Sequence, residues 1–125
     1  MNEKGASLIE AVAAMFILAI VIVGILPAFA VQMHSNTRNE IRAEAVSVTQ
    51  VVVEALRAED PTEMNETGQV SQTYSLGKRD YVVVTHFCLK PQFCDGTTRH
   101  LYIEVFFDGR KVYDAETVQT ALYTP

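Results

Sequence analysis

The chain has 125 residues, a size suited to one folded domain, and a net charge of −5 at neutral pH. That acidic balance excludes the overall electrostatic footprint of a nucleic-acid binder. No glycine-rich phosphate loop is present and no serine–histidine–acid grouping emerges from the spacing, so the reading is non-enzymatic, with no catalytic residue, cofactor or metal.

The N-terminus opens Met1-Asn2-Glu3-Lys4-Gly5, continues Ala6-Ser7-Leu8-Ile9-Glu10, and then enters an apolar run from Ala11 to Val31. Those 21 residues contain no charged or polar side chain. At about 1.5 Å of rise per residue, a helix of this length crosses a hydrocarbon core of about 30 Å. The run is too long for the apolar part of an ordinary secretory signal, and no small-residue cleavage site clearly ends it. Lys4 and the terminal amine favour a cytoplasmic N-terminus. Glu10 stands at the mouth of the apolar helix, where a carboxylate costs up to about 3 kcal/mol at mid-membrane and so implies a compensating partner.

These residues resemble the type IV prepilin N-terminus. In that family a short leader ends in glycine, cleavage follows the glycine, and the new terminal amine is methylated. A glutamate stands fifth in the mature chain. Gly5, Ala6 and Glu10 fill those positions, and Ser7-Leu8-Ile9 matches the step that precedes the glutamate. Ala6 departs from the commoner phenylalanine or methionine. The resemblance implies that residues 1–5 are a leader, that 6–31 form a transmembrane and assembly helix, and that prepilin peptidase is a partner. It also implies that Glu10 pairs with the amine of a neighbouring subunit. Physically, a carboxylate in a low-dielectric medium is penalised alone and relieved when paired, so Glu10 acts as a register device. Ser7-x-x-Glu10 also reads as a capping box.

Gly24 and Pro27 fall where many pilins carry helix-softening residues. Proline removes one backbone hydrogen bond, so a bend or helix break is expected near Gly24 to Pro27. His34 reads as an interfacial polar residue. From Gln32 the polarity rises while the helical pattern persists to about Ala58. Ile41, Ala45, Val48, Val52 and Ala55 recur at helical spacing and mark one face. Residues 32–60 are thus an amphipathic continuation, ended by Asp60-Pro61.

Residues 61–125 read as a β-rich head. Thr62 to Gly68 is polar and loop-like. Strands are expected over Val70 to Leu76, Tyr81 to Leu89 and Arg99 to Phe107, from alternation and β propensity. Gly77 to Asp80 is a turn, and Asp108-Gly109 is a hairpin signal of the type I′ kind. Lys111 to Asp114 returns, and Val118 to Tyr123 adds a further short strand. One long helix followed by three to five antiparallel strands is an α+β arrangement, in agreement with the pilin-like fold. The basic pairs Lys78-Arg79 and Arg110-Lys111 are expected to solvate hairpin turns, and direct DNA binding is not expected.

Cys88 and Cys94 enclose a short loop. With the N-terminus inside, the head lies outside the cytoplasm, where disulfides persist. Closing a loop of about seven residues is worth about 2.4 kcal/mol in the chain-entropy model. The rival is a zinc site from His86, Cys88, Cys94 and His100, whose spacing lacks the tight pairs of common zinc sites.

The resemblance implies a minor pilin of the modification-protein V class, which primes or enters a type IV pilus serving adhesion, twitching or DNA uptake. A minor pseudopilin of the I class from a type II secretion system shares the same N-terminal pattern. A non-polymerising signal-anchored protein would retain its leader. Partners implied are other pilins or pseudopilins and the inner-membrane assembly platform. The location implied is a single-pass protein of the bacterial inner membrane with a periplasmic head, then a pilus or pseudopilus.

Overall fold

A computed structural model describes residues 3–122. Met1, Asn2 and Tyr123 lie outside the described residues. The elements in order are one helix, α1 (Glu3–Arg57), and four strands, β1 (Gln69–Leu76), β2 (Arg79–Phe87), β3 (Thr98–Phe107) and β4 (Arg110–Thr120), with a single 3₁₀ turn at Pro91–Phe93. The chain divides into two compact units, one ending at Asn39 and the other beginning at Glu40.

The first unit is helix alone. Every residue from Gly5 to Glu40 is exposed. The described helix runs from Glu3, which places Ser7 a full turn inside it. The helix passes through Gly24 and Pro27 without the full break that was one of the two expected outcomes there. Proline forfeits one amide donor, and the helix continues on both sides of it.

The second unit is the α+β head. Its four strands form one antiparallel sheet in the order β1-β2-β3-β4, each paired to its sequence neighbour. Residues 40–57 of α1 pack on one face. Ala45, Val48 and Val52 from the helix meet Tyr81, Val83, Ile103 and Val105 from β2 and β3, with Ile41 and Leu56 partly buried alongside. The expected face is correct except at Ala55, which is exposed. Leu56, four residues after Val52, continues the buried stripe in its place. The helix on an antiparallel sheet is the expected α+β arrangement and is consistent with a type IV pilin-like fold.

Both two-residue turns follow their sequence signals. Asp108 and Gly109 have φ of 51° and 73°, the double positive φ that a type I′ turn requires. At the β1–β2 turn only Gly77 is positive, at 64°, as in a type II′ turn. The expected division of the C-terminal segment into two strands is corrected. Ala115 pairs with Ile103 and Thr117 with Leu101, so pairing runs unbroken from Tyr113 to Thr120. Ala115 and Thr117 are partly buried while Asp114, Glu116 and Val118 are exposed, an alternation that a single strand satisfies.

Candidate functional site

Two surfaces carry the chemistry, one in each unit. In the first, Leu8, Ile9, Met15, Phe16, Val23, Phe29 and Met33 are all exposed. Soluble monomers rarely present an apolar patch larger than a few hundred Å². A helix apolar on every side is covered by lipid or by other helices. Among the described residues, α1 is the one helix long and apolar enough to cross a membrane. Gly5, Ala6 and Glu10 lie on its first turns, all exposed, with Glu10 immediately before the apolar run.

In the second unit, a polar cluster ties the helix to the start of β2. Arg79 donates to Glu40 at 3.1 Å and to Glu44 at 3.0 Å. The Tyr81 hydroxyl, on a residue with no exposed surface, donates to the other Glu44 oxygen. The Tyr81 hydrogen bond, helped by Arg79, holds the Glu44 carboxyl below its ordinary range. Burial, then the facing Glu44 carboxylate, pushes the Tyr81 phenol well above its ordinary range. Periodicity gives no sign of this cluster, because Glu40 and Glu44 fall outside the apolar stripe of Ile41, Ala45, Val48 and Val52. The available signal was their i, i+4 spacing beside a charged turn.

At the opposite end of the sheet, Cys88 and Cys94 form a disulfide with Cα atoms 5.9 Å apart. Cys88 takes a left-handed φ of 56° and donates its amide to the His100 carbonyl at 2.8 Å, which turns the chain out of β2. Asp95 then accepts from the Thr97 and Thr98 amides, both at 2.7 Å, and closes the return into β3. The Thr97 amide bond in particular holds the Asp95 carboxyl below its ordinary range. Phe93 stacks on His100, with ring centroids 6.3 Å apart. His100 is 1% exposed, and its Nε2 bonds Glu116 at 2.7 Å.

The alternative zinc set does not assemble. The disulfide consumes both thiolates, and His86 is bonded to Glu104 at 2.8 Å. Among the described residues no group of three or more candidate ligands converges.

The two basic pairs lie at the same end of the sheet, because β1–β2 and β3–β4 turn there while the disulfide loop joins β2 to β3 at the other end. Arg79 is committed to its two glutamates and Lys111 lies 3.7 Å from Glu104, whereas Lys78 and Arg110 are exposed.

Two buried residues escaped the sequence reading. Met64, in the polar loop before β1, packs with Phe87 and Leu101. Arg99, 2% exposed, donates to the carbonyls of Asp95 and Thr98. A lone methionine in a polar loop was the visible hint for the first, and nothing local marked the second.

The fold defines a class: an α+β head whose helix extends into a candidate membrane span. No protein-family model, curated protein or solved structure matches the chain.

Proposed function

We propose that the protein is a membrane-anchored structural subunit of the type IV pilin kind, a minor pilin that is cleaved after Gly5 and enters or primes a filament. The observation that carries the reading is the placement of Gly5, Ala6 and Glu10 directly before 21 apolar residues on one exposed helix, which leads to a small α+β head. The apolar helix needs lipid before assembly and helical neighbours after it. Glu10 favours the docked register in which a neighbour's amine relieves its charge. The disulfide suits a head outside the cytoplasm. Other subunits, prepilin peptidase and an inner-membrane platform are the partners of this reading. DNA is not, since two of the four turn cations are already engaged by carboxylates.

The test is mass spectrometry of filaments sheared from the source cells. A trace of this protein beginning at Ala6 supports a minor pilin, and a methyl on Ala6 completes the processing argument. Processed protein confined to the membrane fraction would reassign it to a secretion pseudopilus. Mature protein retaining Met1 to Gly5 would overturn the reading.

A further inference from the structure

The two edges of the sheet are built differently. β4 carries Arg110, Lys111, Asp114 and Glu116, and its pairing with β3 shifts register between Val105 and Phe106. Charges and bulges are the usual protections of an exposed edge. β1 has neither. Its eight residues, Gln69–Leu76, include no charge and no proline, and it pairs with β2 in unbroken register from Gln69↔His86 to Leu76↔Arg79. Its other side is an open row of backbone donors and acceptors among the described residues.

Beside this edge, on the helix face, runs a groove of about 390 Å³. Its apolar floor includes Val52, Leu56, Met64, Val70, Val83 and Phe87. Glu59 and Glu63 also line it, both exposed. Val70 is 38% exposed although its β2 partner, Thr85, is buried, so the helix leaves the groove side of β1 uncovered.

We propose that β1 is a strand-addition site for an extended segment of a partner protein in which apolar and polar side chains alternate and lysine or arginine stands two residues from the apolar ones, on their own face. The period-2 geometry of an added strand sends alternate side chains to one face. Its apolar side chains would enter the groove next to Val70, its polar ones would lie beside Ser71 and Thr73, and its cations would meet Glu59 and Glu63. Main-chain bonds to the edge supply affinity, and the groove supplies selection. The acidic lining chooses a basic segment over an acidic one. This surface is independent of the filament reading, since it belongs to the head alone.

The test uses the full chain in detergent micelles and fluorescein-labelled peptides of alternating valine and threonine. One carries two lysines, a second carries two glutamates, and two more carry lysines with backbone N-methyl groups along one edge or the other. The lysine peptide is expected to bind about tenfold more tightly than the glutamate peptide, in line with two partly exposed ion pairs. E59K with E63K is expected to invert that preference. One N-methylated peptide should lose binding while the other keeps it, and hydrogen exchange should slow at the amides of residues 69–76 only when the lysine peptide is present. Equal binding of all four peptides, or binding with unchanged exchange in β1, would overturn the proposal. Slowed exchange in β1 without peptide as protein concentration rises would also overturn it, by giving the edge to a second copy.

Discussion

Glu44 is where a single side chain does most in the head. It accepts from buried Tyr81 and from Arg79 at once, which anchors the helix to β2. Its folded pKa lies below the ordinary 4.5, through the Tyr81 hydrogen bond first and Arg79 next. Stability from this carboxylate is therefore fully present above that value and is lost as pH falls through the depressed folded one. Asp95 shifts the same way through the Thr97 and Thr98 amides, so both ends of the sheet weaken in acid. Tyr81 has the opposite sign. Its raised pKa keeps stability intact below 10.0 and removes it as pH climbs toward the folded value. The expected outcome is a head whose urea midpoint drops between pH 7 and about pH 3, with a shallower drop in Glu44→Gln. Tyrosine near-ultraviolet dichroism can follow this, because the chain has no tryptophan. A Glu44→Gln profile as steep as the unsubstituted one would assign the acid limb elsewhere.

The disulfide belongs to the same scale. Removing it through Cys88→Ala with Cys94→Ala is expected to cost about 2 kcal/mol, read from urea unfolding. Asp95 and the Phe93–His100 stack hold the loop independently, so the sheet should survive the loss. The pairing was legible in advance from two cysteines at short spacing and an expected exported head. The polar cluster at Glu44 was not, since it joins residues 35 or more apart in sequence.

At the scale of elements, period and turn chemistry decide nearly everything. Ala45, Val48 and Val52 announce a buried helix face by spacing alone, and the Asp108-Gly109 pair announces its turn. Where that reading failed, tertiary pairing outweighed a local cue. Ala115-Glu116-Thr117 looks weak as a strand, yet the long β3 beside it supplies a ladder that carries β4 through. Pro27 looks like a break, yet one missing donor does not unwind a helix of 55 residues. Ile103, with no exposed surface at the centre of the core, should be the most sensitive core position. Ile103→Ala is expected to destabilise the head by about 2–5 kcal/mol. Val51→Ala, on the exposed helix face, should change stability by less than about 0.5 kcal/mol. Comparable losses at both positions, measured by urea unfolding, would contradict the assigned packing face.

At the scale of the whole molecule, the proposed filament role makes the balance between lipid and assembly turn on one carboxylate. A helix bearing 21 unbroken apolar residues is stable in a bilayer whether or not it ever leaves. Under that proposal Glu10 is the residue that distinguishes these fates, because a carboxylate is costly alone in a low-dielectric medium and tolerated when paired. Glu10→Ala should therefore insert into the membrane at least as well as the unsubstituted chain, while losing the preference for one docked register. The expected outcome is normal cleavage after Gly5, normal membrane abundance and a loss of at least about tenfold from sheared filaments, which corresponds to about 1.4 kcal/mol of docking preference. Glu10→Gln should fall with Glu10→Ala rather than with the unsubstituted chain, since a neutral amide offers a hydrogen bond but no charge to a neighbour's amine. If Glu10→Gln enters filaments normally, the carboxylate is a local helix feature and the register is set elsewhere on α1.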